Sequence, residues 1–143
     1  MEYIVREEQA KDIEQVRSLL QAAFSTDAES KLVDALRANG KAVISLVAVC
    51  LDEVFGHILF SPVTTSPPSE ARGIGLAPVA VLPEVQAQGI GSQLILAGLR
   101  LCQELGFDYC VVLGSPSIII ALALRRQVNR GRITNTGQAR NSW

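Results

Sequence analysis

The sequence lacks several features that would each point to a class of function. Its 13 Lys and Arg residues nearly balance its 14 Asp and Glu residues, so it has no general attraction to nucleic acid or to anionic lipid. Aromatic residues make up 5% of the chain, too few for a base-stacking surface. The three cysteines (Cys50, Cys102 and Cys110) are odd in number and far apart. They fit neither a disulfide framework nor a zinc site, and we expect buried thiols of a reducing compartment and no metal.

Long apolar runs are also missing. The longest one, residues 110–124, is interrupted by Gly114, Ser115 and Pro116, and is shorter than the roughly 20 residues that cross a bilayer. The N-terminus has neither the basic head nor the apolar run of a signal peptide. We therefore expect a cytoplasmic protein with no membrane partner.

What the sequence does contain is enough apolar material for one compact domain, since 48% of its 143 residues are hydrophobic. Its charges are divided unevenly. All 14 acidic residues lie within residues 1–116, whereas residues 117–143 carry five arginines and no acid. This contrast predicts a folded core at 1–116 and an atypical basic tail at 117–143, which we expect to be poorly ordered.

The spacing of apolar residues predicts the elements of the core. In chain order these are a strand at 3–6, a helix at 10–24, a shorter helix ending near 39, a hairpin of strands at 42–51 and 54–63, a strand at 75–82, a long helix at 90–105 and a strand at 107–113. Pro78 has no N–H to donate, so we expect the strand at 75–82 to be bulged or unpaired on one side. The order predicts an α+β fold whose sheet is mixed and mainly antiparallel.

The segment between the fourth predicted strand of the core and the long helix is glycine-rich. It reads Gln86, Ala87, Gln88, Gly89, Ile90, Gly91 and Ser92. The first turn of a helix leaves backbone N–H groups without partners at the positive end of the helix dipole, and glycines let a ligand approach them. The segment therefore predicts an anion site, most simply for a diphosphate. It has neither the lysine of a P-loop nor the third glycine of a dinucleotide fingerprint.

The pattern Gln86-x-x-Gly89-x-Gly91 after an apolar strand resembles the acyl-CoA-binding motif of the GNAT superfamily of N-acetyltransferases. Residues 45–48, 56–63 and 75–83 are similar to the small bacterial acetyltransferases of that superfamily. The resemblance covers residues 3–114. It implies a three-layer α/β/α fold with helices on both faces of the sheet.

The resemblance also implies a function. Acetyl-CoA would be the co-substrate, and an amine of a small molecule or protein would receive the acetyl group. The diphosphate would bind the backbone of residues 86–92, and the pantetheine arm would lie along Val79, Ala80 and Val81. A non-catalytic acyl-CoA-binding or interaction module on the same scaffold is the alternative.

Catalytic residues are harder to predict. Glu84, just past the strand, and His57, the only histidine, are weak candidates for the general base. A solvated loop residue and an ordinary strand histidine are the simpler interpretations of the two. Tyr109 is expected to pack rather than to donate a proton.

The tail departs from the family pattern. It lacks the tyrosine that many of these enzymes place after the fifth strand, and it does not resemble their sixth and seventh strands. We therefore expect the C-terminal strands to be missing or replaced, which would expose the edge of the fifth strand and favour a homodimer. Three explanations stay open: a segment replaced by a shift in reading frame, a divergent end, or a basic helix with its own partner. Five positive charges alone do not predict a nucleic-acid partner.

Overall fold

The computed structural model describes residues 2–63, 70–86, 88–113 and 119–124. Within these residues, six strands and three helices follow one another. They are β1 (Ile4–Glu7), α1 (Ile13–Ala23), α2 (Ala28–Ala38), β2 (Ile44–Cys50), β3 (Glu53–Val63), β4 (Gly73–Val81), α3 (Ile90–Glu104), β5 (Tyr109–Leu113) and β6 (Ile119–Ala123). Short 3₁₀ turns at Ala10–Asp12 and Pro83–Val85 precede α1 and α3.

The strands form one sheet in the order β1-β2-β3-β4-β5-β6. Every neighbouring pair is antiparallel except β4 and β5, which are parallel and are connected through α3. This arrangement confirms the predicted mixed, mainly antiparallel sheet with one strand–helix–strand unit.

Helices cover both faces of the sheet, because each strand turns alternate side chains to opposite faces. On one face, α3 buries Ile90 and Leu94 against residues such as Ile58. On the other face, α1 and α2 pack on a second cluster. Its buried members are Val16, Leu19, Leu20, Val33, Val47, Val49, Val54, Leu59 and Ala80. The implied three-layer architecture is confirmed.

The sixth strand corrects one part of the expectation for the C-terminal strands, because β6 is present; a seventh strand would fall outside the described residues. β6 pairs antiparallel with β5 along its whole length, from Tyr109 opposite Ala123 to Leu113 opposite Ile119. The next residue, Leu124, is fully buried, and its N–H donates to Asp108 O at 2.9 Å. An apolar run of this length suits either a helix or a strand, and the unpaired edge of β5 decides in favour of the strand.

This finding removes the exposed β5 edge on which the homodimer prediction was based. Residues 125–143, with all five arginines of the tail, lie outside the described residues. Within the described part of the chain, no helix is both long and apolar enough to cross a membrane.

Candidate functional site

β4 extends beyond its pairing with β5 in the middle of the sheet, and we call the side of β4 that has no strand partner there, among the described residues, the gap. The two strands pair only from Gly73 opposite Tyr109 to Leu76 opposite Val112, whereas β4 continues to Val81. The pairing of β4 with β3 also shifts register just beyond Leu76. Pro78 lies at this shift, as the sequence predicts, and the pairing of β4 with β5 ends two residues before it, at Leu76.

The main chain of the second half of β4 alternates between β3 and the gap. Leu82 N–H donates to Phe55 O at 2.9 Å, so the main chain of Leu82 faces β3. By the alternation of an antiparallel ladder, Ala80 faces β3 as well, and Val79 and Val81 turn their N–H and C=O groups to the gap. The Val81 carbonyl accepts a hydrogen bond from Gln86 Nε2 at 3.0 Å, as expected for a group on the open side. The gap is therefore lined by main-chain donors and acceptors.

The start of α3 adjoins this gap and is not capped by a side chain. Gly89 is the N-cap residue with φ +83°, a conformation that favours glycine. Its carbonyl accepts the first helical hydrogen bond, from Gln93 N at 3.0 Å. The N–H groups of Ile90, Gly91 and Ser92 therefore lack intrahelical partners, and the first turn carries no acidic residue. This arrangement suits a bound anion.

The helix start lies close to the strand end, and two glycines lie where α3 meets the sheet. A Cβ on Gly91 would lie 3.8 Å from Val81 Cγ2. A Cβ on Gly56 in β3 would lie 3.0 Å from both Ile90 Cγ2 and Leu94 Cδ1, so a larger residue there would make these side chains shift by a few tenths of an ångström. The sequence analysis missed Gly56. A glycine inside a predicted strand is the signal that could have found it.

The remaining residues of the predicted loop lie at the surface. Gln86, Gln88 and Ser92 are exposed, whereas the buried Ile90 anchors the loop in the core. Ala87 lies outside the described residues. The loop therefore offers backbone N–H groups and amide side chains to a ligand rather than positive charge.

His57 is fully buried under α1 and α2. Its Nε2 lies 2.9 Å from Ser45 Oγ and 4.0 Å from Glu8 Oε2. Burial, together with the nearby positive charge of Arg37, lowers the pKa of His57 to about 3, so the ring is neutral at pH 7. Solvent does not reach this side chain, which corresponds to the simpler interpretation, an ordinary strand histidine.

The other candidates from the sequence occupy separate places. Glu84 is exposed in the 3₁₀ turn that follows β4. The ring of Tyr109 packs over Gly73 at the paired end of β4 and β5, which confirms its expected packing role. Cys102 and Cys110 are fully buried, and burial raises the pKa of their thiols to about 12 and about 11. No three metal-ligating side chains come together within the described ranges.

Known proteins are similar to this chain in sequence and in fold. Residues 13–118 match the sequence profile of the Acetyltransferase (GNAT) family. Over 116 residues the chain is 35% identical to YhbS of Escherichia coli K12, described as an uncharacterized N-acetyltransferase; the match covers 80% of this chain and 69% of YhbS.

Two solved structures extend the likeness to three dimensions. A GNAT family acetyltransferase from Brucella melitensis in complex with acetyl-CoA has a TM-score of 0.81 and 33% identity, covering 95% of this chain and 97% of that one. YhbS from Escherichia coli in complex with CoA has a TM-score of 0.80 and 29% identity, covering 86% and 82%. Fold, motif and sequence agree: the chain belongs to the GNAT family of acetyltransferases.

Proposed function

We propose that this chain binds acetyl-CoA in the gap between β4 and β5 and transfers its acetyl group to an amine. The observation that carries the proposal is the uncapped start of α3 beside a strand whose second half has no partner on the β5 side among the described residues. The two relatives that were solved with acetyl-CoA and with CoA support it.

Binding would use two sets of main-chain groups. The diphosphate would accept hydrogen bonds from the backbone around the start of α3, where the helix dipole favours negative charge. The proposed residues are Gln86, Ala87, Gln88, Gly89, Ile90, Gly91 and Ser92. The pantetheine arm, which carries two amides, would pair with the gap-facing groups of Val79 and Val81 as an added strand does. Ala80, between them, would support this strand through its pairing with β3.

The acetyl group of the bound cofactor would lie where the pairing of the pantetheine arm with β4 ends. The thioester carbonyl would lie near the N–H groups that face the gap, which can stabilise negative charge on its oxygen. An ammonium group has no lone pair, so the acceptor must lose a proton before its nitrogen attacks the carbonyl carbon. The C–S bond then breaks, and the thiolate of CoA leaves and takes up a proton. Holding both reactants in one cleft supplies much of the rate.

The acceptor would be an amine of a small molecule or of a protein. The alternative, a binding module without turnover, is favoured by one observation: His57 is shut away from solvent, so it offers no accessible base. A cytoplasmic location and a homodimer stay predictions from the sequence.

Two measurements on the full chain test the proposal. Calorimetric titration with acetyl-CoA should show saturable binding with a Kd below 1 mM, as expected of a family member. Release of free CoA thiol, followed with a panel of primary amines, should depend on both acetyl-CoA and the amine. Binding without amine-dependent thiol release would favour the alternative, and absence of binding would overturn both.

A further inference from the structure

The side chain of Gln86 contacts the end of β4 on the side of the gap. Its Nε2 donates a hydrogen bond to the carbonyl oxygen of Val81 at 3.0 Å. Val81 is the last residue of β4, and its main chain faces the gap rather than β3. The side-chain amide of Gln86 therefore occupies the position that the N–H group of a neighbouring strand would occupy beside this carbonyl.

The 3₁₀ turn after β4 brings Gln86 back to the strand. Pro83 begins this turn, and Val85 N donates to Leu82 O at 3.0 Å. The N–H of Gln86 donates to Pro83 O at 3.4 Å, and its own backbone is extended, with φ −66° and ψ 158°. The contact therefore lies within one short segment of the chain. Rotation of the Gln86 side chain between its staggered conformers breaks it without any change in the sheet.

The contact lies at the surface, where a ligand can displace it. Gln86 is exposed and Val81 is half-buried. A hydrogen bond between neutral groups adds little stability when water can replace either partner. The other end of β4 differs, because the N–H of Arg72 donates to Asp108 Oδ2 and the Arg72 carbonyl accepts from Asp108 N, both at 2.7 Å. Two bonds join the chain to β5 there, whereas one weak side-chain bond covers the end beside the gap.

We propose that the side chain of Gln86 competes with the pantetheine arm of acetyl-CoA for the carbonyl of Val81. This inference rests on the proposed function. In the free protein the Gln86 amide is the partner of this carbonyl. When the cofactor binds, an amide N–H of the pantetheine arm takes that position and the Gln86 side chain turns to solvent. The contact forms again after CoA leaves.

The competition has a measurable size. Only molecules in which the contact is open can pair with the pantetheine arm, so the apparent Kd rises in proportion to the fraction that is closed off. A neutral hydrogen bond of this kind changes such an equilibrium about two- to tenfold. Because acetyl-CoA and CoA share the pantetheine arm, Gln86 lowers the affinity for substrate and product alike.

A supporting role for Gln86 makes the opposite prediction. The Val81 oxygen has two lone pairs, so a side chain that only steadies the strand end can share it with the cofactor. Loss of a supporting amide weakens the binding of acetyl-CoA, whereas loss of a competing amide strengthens it. The sign of the change in Kd therefore distinguishes the two roles.

The test compares Gln86→Met, which keeps the length of the side chain and every backbone N–H, with Gln21→Met, a matched change at an exposed glutamine of α1. Calorimetric titration should give an acetyl-CoA Kd about two- to tenfold lower for Gln86→Met than for the wild type. Gln86→Ala should show the same gain, which excludes a new contact made by methionine. Gln21→Met should match the wild type. An unchanged or higher Kd for both Gln86 variants overturns the proposal.

ADP serves as a second probe, because it carries a 5′-diphosphate but no pantetheine arm. We expect Gln86→Met to improve the binding of acetyl-CoA and to leave the binding of ADP as it is in the wild type. A gain for ADP as large as the gain for acetyl-CoA would show that Gln86 acts on the start of α3 and not on the Val81 carbonyl. That result overturns the proposal.

An NMR experiment separates failure of this inference from failure of the proposed function. Without acetyl-CoA, Gln86→Met should move the ¹³C signal of the Val81 carbonyl, because its hydrogen-bond donor is lost. Acetyl-CoA added to the wild type should move the side-chain amide signal of Gln86 to that of a solvated glutamine. If acetyl-CoA binds and this amide signal does not move, the proposed function stands and the competition is overturned. If acetyl-CoA does not bind, the proposed function fails and the competition fails with it.

Discussion

Two glycines give a matched pair of variants for the cofactor site. Gly89, at the start of α3, and Gly40, after the end of α2, have φ values of +83° and +72°. A Cβ added at either position would meet no atom within 4 Å. Alanine at either site therefore carries only the cost of a left-handed backbone, about 1 kcal/mol of unfolding free energy. Chemical denaturation should show similar losses for Gly89→Ala and Gly40→Ala.

Their effects on acetyl-CoA should differ. The Cβ of Gly89→Ala projects into the open space in front of the helix start, or the backbone turns away from +83° to relieve strain. Either change displaces N–H groups from the diphosphate. Losing one charge-assisted hydrogen bond costs about 1.5–3 kcal/mol, which corresponds to a Kd roughly 10- to 150-fold higher. Calorimetric titration measures this directly, with Gly40→Ala expected at the wild-type Kd. Equal affinities for the two variants would refute the proposed use of this loop.

Three further predictions concern the fold beneath the site. Gly98→Ala places a Cβ into the Phe60 ring and should lower the unfolding free energy by about 1–3 kcal/mol, whereas Gly91→Ala makes only ordinary contact and should not. The pKa of His57 lies at about 3, below the 6.5 of the unfolded chain, so the unfolded state binds the extra proton and stability falls as pH drops from 6.5 toward 3. His57→Gln should flatten that decline in denaturation curves, and an unchanged slope would contradict the burial of a neutral ring. A thiol reagent should modify Cys50 alone in the native protein and all three cysteines in denaturant. Modification of a second thiol in the native protein at a rate close to that of Cys50 would contradict the burial of Cys102 and Cys110.

Much of the site could be predicted from the sequence because its signals are local. The position of Pro78 inside an apolar run indicated where strand pairing changes, and the glycines before the long helix indicated an open helix start. Both are constraints of single residues on their own backbone. The start of α1 was predicted less accurately, because residues 10–12 form a 3₁₀ turn before the helix. Asp12 there accepts hydrogen bonds from Gln9 N at 2.7 Å and from Arg6, a contact that spacing does not indicate.

What the sequence did not predict depends on neighbours distant along the chain. The segment of β6 is an apolar run whose own pattern does not distinguish a helix from a strand. The free edge of β5 determines that it forms a strand. Glu29 looks like any acidic residue in a first helical turn. Only the structure reveals that its Oε1 is shielded from solvent and has no donor among the described residues. The sequence pattern can show that a residue faces inward, but it cannot show whether that residue finds a hydrogen-bond partner there.

The location of the cofactor can be measured most directly by following the backbone amide signals of the ¹⁵N-labelled protein as acetyl-CoA is added. We predict that the largest saturable shifts fall on the amides of Val79 and Val81 and on those of residues 89–92. Saturable shifts confined to another surface, with the signals of β4 and of the start of α3 unmoved, would contradict the account.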